Sequence, residues 1–251
     1  MTIHTYLSGP SPVAIAHRGG ALEAPENTIE AFDVAVEMGY RFLETDAQLT
    51  SDGVAVAFHD DRIDRVSSEV GAIVDWTWSD LREVPINGTG RLISISELLE
   101  RFPDRRFNID AKSDEVVEPL LDAVQSAGAL DRICIGSFSD KRISRMRSLA
   151  VGDLCTSLGP KGVVKQVLRS LGLPIPAPHG HAIQVPPTSR GIPVITARLV
   201  EAAHRDRLAV HAWTIDSAEE MHRLLDLGVD GIMTDRPSVL KAVFEERGLA
   251  L

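Results

Sequence analysis

The sequence is poor in cysteine, with two in 251 residues. Cys134 and Cys155 both lie within apolar runs, where cysteine behaves as a small hydrophobic residue. Two such residues do not make the disulfide framework on which small secreted domains depend. We therefore expect the protein to work in a reducing compartment.

An excess of positive charge is also lacking. The chain has 26 Lys and Arg against 36 Asp and Glu, which gives a formal net charge of −10. This balance argues against nucleic acid or an anionic membrane as the main partner. It would also repel a phosphate-bearing substrate unless a bound cation reverses the local field, so it favours a metal site.

Long apolar runs are missing as well, and none approaches the roughly 20 residues that a membrane-spanning helix needs. The first ten residues have neither the basic nor the apolar segment of a signal peptide. We therefore expect a cytoplasmic location and no stable membrane association. The sequence leaves the oligomeric state open, and a homo-oligomer is a possible assembly.

What the sequence does have is a regular alternation of short apolar strands and helical patterns. Its hydrophobic content of 44% is ample for a packed core, and 251 residues fit one domain, 1–251. About eight strands, each followed by a helix, predict the α/β class with a parallel sheet. At this length a closed (β/α)8 TIM barrel is favoured over a doubly wound sheet. No Gly-x-Gly-x-x-Gly nucleotide fingerprint follows any of these strands.

The most informative stretch is a predicted hairpin. Two strand-like runs, 42–49 and 54–58, flank an Asp-Gly pair, which is a strong hairpin signal. Side chains alternate along a strand, so Glu44 and Asp46 share one side, and the hairpin brings His59 back toward them. This pattern indicates a hard-metal site beside a proton-transfer group. From this stretch alone, the wet face of an edge strand remains an equal alternative.

Residues 61–91 follow the hairpin without clear periodicity, and they predict a small insertion after the second strand. An insertion after a strand's carboxyl end lies on the catalytic face of a barrel, where it often shapes the substrate pocket. Trp76 and Trp78 could line that pocket, although plain packing is the simpler interpretation.

A later strand carries Asn108, Asp110 and Lys112 on one side. Such a polar face is unusual for a buried barrel strand unless it faces Glu44 and Asp46. In that arrangement Asp110 completes the metal shell, and Lys112 stabilises negative charge on the substrate.

Polar residues recur where the predicted strands end. They are His17, Arg18, Glu44, Asp46, His59, Asp110, Lys112, Gln184, Trp213 and Asp235. Active sites of (β/α)8 barrels lie at the carboxyl ends of the strands. The convergence of two histidines, three acids and a lysine there favours a metal site over a merely solvated strand face.

Several motifs are similar to those of the glycerophosphodiester phosphodiesterase family. They are His17-Arg18-Gly19, Pro25-Glu26-Asn27-Thr28, Glu44-x-Asp46, Asp52-Gly53, His59-Asp60, Trp213-Thr214 and Gly231-Ile-Met-Thr-Asp235-Arg-Pro237. They cover nearly the whole chain in the family's order. The resemblance implies a TIM barrel that hydrolyses glycerophosphodiesters to glycerol 3-phosphate and an alcohol, with a divalent cation such as Mg²⁺ or Ca²⁺.

The resemblance also implies the ligands of that cation. Glu44 and Asp46 would ligate the metal, with Asp110 as the third carboxylate. The family usually has a glutamate at this last position. Aspartate reaches less far, so Asp110 would bind through a water or more loosely.

The remaining roles implied by the resemblance fall to residues around the metal. His17 and His59 would act as general base and acid, Arg18 and Lys112 would hold phosphate oxygens, and Trp213 would contact the substrate. The chemistry agrees, because attack on an anionic phosphodiester needs its charge neutralised and the leaving alkoxide protonated.

Two other functions stay open. A lysophospholipase D-like or sphingomyelinase D-like enzyme would use the same barrel and metal with a more apolar entrance. A broad apolar rim on 61–91 would favour it, and the polar content of that segment disfavours it. A non-catalytic barrel that binds phosphorylated ligands would need a lost histidine or carboxylate, and the departure found is the aspartate at 110.

Overall fold

The computed structural model describes residues 4–251. Its strands are β1 Val13–Ala16, β2 Phe42–Leu49, β3 Ala55–Ala57, β4 Arg106–Ala111, β5 Ile133–Gly136, β6 Cys155–Thr156, β7 Ala182–Val185, β8 Thr188–Ser189, β9 Ile192–Pro193, β10 Ala209–Ala212 and β11 Gly231–Thr234. Its α-helices are α1 Ile29–Glu37, α2 Trp78–Leu81, α3 Ile95–Arg101, α4 Val117–Ser126, α5 Asp140–Leu149, α6 Pro160–Ser170, α7 Ala197–Arg205, α8 Ala218–Asp226 and α9 Pro237–Glu246.

Eight of the strands form a parallel sheet in the order β6-β5-β4-β2-β1-β11-β10-β7. The sheet closes between β6 and β7 through a single bridge from Ser157 to Ala182. At this seam Leu158 N donates to the Ala182 carbonyl at 2.8 Å, and His181 N donates to the Thr156 carbonyl at 2.9 Å. The predicted (β/α)8 barrel is confirmed.

The predicted hairpin is formed by β2 and β3, which pair antiparallel with Ala47 opposite Ala57. Gly53 has φ +84°, the positive value that a glycine turn supplies. Residues 61–91 fold back onto this hairpin around an apolar cluster of their own. Its buried members are Val56, Phe58, Ile63, Val66, Ile73, Leu81, Val84, Ile86 and Leu92.

The helices form because their sequences supply caps and apolar stripes. The Thr28 side chain accepts a hydrogen bond from Ala31 N at the start of α1. Ser94 and Glu97 form a capping box at the start of α3. Along α4, the buried residues are Val117, Leu120, Leu121, Ala123 and Val124, a spacing that turns one face of the helix to the sheet.

The floor of the barrel is a separate apolar cluster. Its buried members are Tyr6, Ile15, Phe42, Cys134, Cys155 and Met233. Both cysteines are free and buried, as their apolar surroundings in the sequence predict. Because apolar side chains fill this end of the barrel, the polar side chains of the strands lie toward the other end. Of the helices in the described part of the chain, none has the length and apolar character needed to cross a membrane.

Candidate active site

The first part of the site is a tight turn after β1. Residues 18–20 all have positive φ, from +51° at Arg18 to +107° at residue 20. A Cβ on Gly19 would lie 2.7 Å from the Cβ of Ala31, so glycine is required there for close packing as well as for its backbone. The turn directs the backbone N–H of Arg18 to Glu44 Oε2, at 3.0 Å.

Two neighbouring strands supply the carboxylates. In the β2–β4 register, Glu44 lies opposite Asn108 and Asp46 lies opposite Asp110. The predicted neighbours on these strands therefore do lie side by side. The Lys112 Nζ is 2.7 Å from Asp46 Oδ1 and 2.8 Å from Asp110 Oδ2. Lysine thus bridges the two aspartates.

Burial sets the charge state of these carboxyl groups. Burial raises the pKa of Glu44 to about 7, with Asp46 adding to the effect. Burial alone would raise the pKa of Asp46 too, but Lys112 and Arg18 outweigh it and hold that pKa below its usual range. The pKa of Asp110 is raised by burial in spite of Lys112. Glu44 is therefore the carboxylate whose negative charge is least well compensated.

The segment before α1 holds Arg18 and Asp46 in place. Arg18 donates to Glu26 Oε1 at 3.0 Å, and the Asn27 amide donates to Asp46 Oδ2 at 3.2 Å. The Nε of Arg18 lies 3.3 Å from Asp46 Oδ2 but is a buried donor without a hydrogen bond among residues 4–251. Because a buried donor of this kind costs free energy, it favours an anionic ligand in the cavity.

His17 is oriented by the last barrel strand. Its Nδ1 lies 2.7 Å from Asp235 Oδ1, and Asp235 is itself fixed by donating its backbone N–H to Asp216 Oδ1 at 2.8 Å. The Nε2 of His17 lies 3.7 Å from Glu44 Oε2. Burial alone would lower the pKa of His17, but Glu44 and Asp235 outweigh it and raise that pKa. Protonated His17 therefore persists to higher pH than a free histidine.

His59 is oriented in the same way from the other side. Its Nδ1 lies 2.5 Å from Asp60 Oδ1, and Arg65 Nε donates to Asp60 Oδ2 at 2.6 Å. Arg65 also donates twice to Glu26, at 2.8 and 2.6 Å. In both histidines a carboxylate occupies Nδ1, which leaves Nε2 for proton transfer.

These side chains line a cavity of about 530 Å³ at the carboxyl ends of the strands. All the residues to which the sequence assigned a catalytic, phosphate-binding or metal-binding role lie on its wall. They are His17, Arg18, Glu44, Asp46, His59, Asp110, Lys112 and Trp213. The structure thus gathers the whole predicted set in one place.

The insertion does not line this cavity, since none of residues 61–91 is on its wall. The expectation that this segment shapes the pocket was wrong. The physical reason is its own apolar cluster, against which Trp76 and Trp78 also pack. Packing was therefore the right interpretation of both tryptophans. Arg65 is the residue of this segment that hydrogen-bonds to residues flanking the site.

Other residues of the cavity wall were missed. Phe138, Val163 and Val194 lie on it, but in the sequence they look like ordinary core residues. Deeper in the barrel, the Gln184 amide donates to Asn108 Oδ1 at 2.7 Å and lies 3.3 Å from His211 Nδ1. His211 is fully buried, and burial lowers its pKa to about 4.

The donor set is compatible with a divalent cation. Glu44, Asp46 and Asp110 offer carboxylate oxygens, the ligands that Mg²⁺ and Ca²⁺ prefer, and Glu44 is buried with its charge incompletely compensated. Within residues 4–251, no group of three or more His, Cys, Asp or Glu side chains is gathered closely enough to hold a metal. Asp46 and Asp110 are instead bridged by Lys112 Nζ, at 2.7 and 2.8 Å.

Comparison with known proteins agrees with this geometry. The model of the glycerophosphoryl diester phosphodiesterase family matches residues 17–239. The chain belongs to this family. It is 36% identical over 249 residues to a probable glycerophosphodiester phosphodiesterase 2 of Mycobacterium tuberculosis, covering 97% of this chain and 94% of the relative. It is 30% identical to a glycerophosphodiester phosphodiesterase of Caldanaerobacter subterraneus, covering 91% and 96%.

Solved structures of the family have the same fold. The glycerophosphodiester phosphodiesterase of Agrobacterium tumefaciens superposes with a TM-score of 0.76 at 21% identity, covering 91% of this chain and 99% of its own. A phosphodiesterase of Oleispira antarctica, solved in complex with the product sn-glycerol-3-phosphate, superposes with a TM-score of 0.79 at 20% identity, covering 94% and 97%. The family resemblance and the TIM barrel predicted from the sequence are confirmed, and so is the expectation of an enzyme of this family.

Proposed function

We propose that the protein hydrolyses glycerophosphodiesters to glycerol 3-phosphate and an alcohol, with a divalent cation and a pair of histidines. The observation that carries this proposal is the pair itself. His17 and His59 each have Nδ1 on a carboxylate, and both line the cavity together with Arg18. The names of the relatives support the substrate class, and the Oleispira antarctica complex supports the product.

In this proposal Arg18 and Lys112 hold the non-bridging oxygens of the phosphate, and Trp213 contacts the rest of the substrate. One histidine removes a proton from the attacking water, whose oxygen bonds to phosphorus. The bond from phosphorus to the leaving oxygen breaks, and the other histidine gives that oxygen its proton. Atoms and charge balance, because the two histidines exchange protonation states and reset through solvent.

Glu44 and Asp46, with Asp110 as a third ligand, are the residues that would hold Mg²⁺ or Ca²⁺. When bound, such a cation offsets the negative charge of the phosphate and polarises its oxygens. Asp110 is the candidate for a looser third ligand, because aspartate reaches less far than the glutamate usual in the family. The acidic character of the chain, whose net charge is −10, is consistent with a cation at the site.

The proposal is tested on the purified protein with glycerophosphocholine, glycerophosphoethanolamine and glycerophosphoinositol, first with EDTA and then with Mg²⁺ or Ca²⁺ restored. We expect release of glycerol 3-phosphate that stops in EDTA and returns with the cation. Glu44→Gln should lose activity and need more cation, while Glu100→Gln, exposed on α3, should behave like wild type. Full activity of Glu44→Gln in EDTA would show that no cation is bound there.

A further inference from the structure

A second, smaller cavity lies between α5 and α6, outside the active site. It has a volume of about 190 Å³, and we call it the α5–α6 pocket. The ionisable side chains on its wall are Asp140, Arg147, Lys161, Lys165 and His179. Among residues 4–251, Leu158 is the only one that lines both this pocket and the active-site cavity. None of the proposed catalytic or phosphate-binding residues lies on its wall, so the pocket is a separate site.

Positive charge dominates the α5–α6 pocket, although the chain as a whole carries a net charge of −10. Arg147, Lys161 and Lys165 face a single carboxylate, that of Asp140. Asp140 Oδ2 accepts the backbone N–H of Lys161 at 3.1 Å and so caps the start of α6. The excess positive charge therefore belongs to the side chains and not to the end of the helix.

Arg147 differs from the other arginines of α5 in having no acidic partner. Arg142 and Arg145 each pair with a carboxylate, at N–O distances of 3.0 and 2.5 Å. Arg147 Nε instead donates to Thr156 Oγ1 at 2.7 Å, and no carboxylate among residues 4–251 compensates its charge. Burial lowers the pKa of Arg147 as a result. A half-buried guanidinium in this position favours an anion beside it.

The two lysines of the pocket are also without acidic partners. Among residues 4–251, the lysines that form ion pairs are Lys112 and Lys141. Lys161 and Lys165 are four residues apart, so they lie on one face of α6, where like charges repel each other. An anion between them would replace that repulsion with two attractive contacts.

The loop before β7 closes the pocket on its third side. A Cβ on Gly180 would lie 3.2 Å from Arg147 Nη2 and 2.7 Å from Leu158 Cδ2. Glycine at this position thus lets the loop pack closely against the guanidinium. The same loop places His179 on the wall of the pocket. Three segments of the chain therefore form the site.

We propose that the α5–α6 pocket binds a small tetrahedral oxyanion, either inorganic phosphate or a small phosphomonoester. Its volume of about 190 Å³ lies below the 300–1,000 Å³ typical of sites for drug-sized ligands, so it suits a small ion. The planar fork of an arginine and the ammonium groups of two lysines are the donors that phosphate oxygens favour. This site is additional to the active site and does not depend on the proposed hydrolysis.

A bound anion would also restrain one wall of the active-site cavity. It would join α5 to α6, and α6 carries Val163 on the wall of that cavity. We therefore expect amide hydrogen exchange in α6 to slow when the pocket is occupied.

Titration with inorganic phosphate, followed by NMR, tests the proposal. The amide of Gly162 reports on the α5–α6 pocket, and the amide of Gly19 reports on the active site. Ionic strength is held constant with chloride, so general screening does not change during the titration. We expect a saturating response at Gly162 whose midpoint differs from that at Gly19. If phosphate gives no response at Gly162, or chloride alone gives the same one, the proposal is wrong.

Paired variants locate the bound ion. Lys161→Gln/Lys165→Gln removes two charge-assisted contacts, so the midpoint at Gly162 should rise tenfold or more while that at Gly19 is unchanged. Lys141→Gln/Arg145→Gln removes the same charge from exposed residues of α5 outside the pocket and should keep the wild-type midpoint. All four side chains are exposed, so neither pair of substitutions threatens the fold. Equal midpoints at Gly162 in wild type and both variants would overturn the proposal.

Parallel titrations distinguish the two sources of the oxyanion. Methyl phosphate and glycerol 3-phosphate are compared with inorganic phosphate at Gly162, and the tightest of the three identifies the class of ligand. In wild type, phosphate should slow amide exchange in α6, and in Lys161→Gln/Lys165→Gln it should not. Exchange that slows equally in both proteins would show that the ion acts from the active site and not from the α5–α6 pocket.

Discussion

The two halves of the barrel mouth are built on opposite principles. The half formed by β1, β2 and β4 is charged, and its side chains hold one another through short ion pairs such as Lys112 with Asp46 and Asp110. The half formed by β5, β6, β7 and β10 has no ionisable side chain among residues 4–251. Its wall mixes apolar residues, such as Phe138 and Val163, with uncharged polar residues, such as Ser137 and Gln184. Buried charges need partners in fixed positions, whereas uncharged side chains carry no such requirement. The difference assigns fixed geometry to the first half and tolerance to the second.

The strongest test of the charged half is the loss of either histidine. General acid or base catalysis typically contributes 10²–10⁴-fold, so His17→Ala and His59→Ala should each lose about that much in kcat with cation binding retained. A p-nitrophenyl phosphodiester distinguishes the two roles, because its leaving group needs little protonation. The variant that lacks the acid should recover much of its rate on that substrate, and the variant that lacks the base should not. Near-normal rates for both variants on a natural diester would disprove the paired mechanism.

Substitution of Arg65 tests whether a residue outside the cavity holds the side chains of the charged half in position. Arg65 links Asp60, which orients His59, to Glu26, which holds Arg18. Since small displacements of catalytic groups cost up to about 10²-fold, we expect Arg65→Met to lower kcat/KM by about 10- to 100-fold. A loss in kcat would show that Arg65 acts through the histidine, and a higher KM would show that it acts through Arg18.

Arg62→Met is the control for this position. Arg62 lies in the same insertion, is half-exposed and pairs with Asp64. Its loss should leave both kinetic constants unchanged. Arg65→Lys should behave like Arg65→Met, because lysine cannot make the paired hydrogen bonds to Glu26. Equal kinetics for the Arg62 and Arg65 variants would rule out a positioning role.

The smallest expected effect comes from His211. It concerns the pH dependence of the free energy of unfolding and not the activity. The fold keeps His211 neutral down to its pKa of about 4, whereas the unfolded chain protonates it below about 6.5. Between these values the unfolded state binds more protons, so stability falls as the pH falls. From pH 7.5 to 5.0 this contribution is about 2 kcal/mol. Between these two pH values, wild type and His179→Gln, which changes an exposed loop residue, should each lose about 2 kcal/mol more of the free energy of unfolding in urea than His211→Gln does, because the opposite contributions of Glu44 and His17 are common to all three proteins. The same loss in all three proteins would mean that His211 is not the source.

Sequence reasoning found the charged half because its residues follow local rules. Glu44 and Asp46 alternate along one strand, and an Asp-Gly turn returns His59 to them. It missed Arg65, because that residue lies in a segment without periodicity and contacts Glu26, which is 39 positions away. It also missed the uncharged half. Phe138 and Val163 follow the same apolar pattern as core residues, and only the closed barrel shows which of them face the cavity.

The seam between β6 and β7 gives the two halves different mobility. β2 and β4 are joined over six residue pairs, but β6 and β7 meet at one bridge and a few backbone hydrogen bonds. Segments with few backbone hydrogen bonds open locally before the rest of a fold, so amide hydrogens of Leu158 and His181 should exchange with solvent sooner than those of β4. Opening at this seam separates the strands that carry the uncharged half and leaves the ladder beneath the carboxylates intact. The cavity can therefore widen to admit a bulky molecule without moving the groups that act on it.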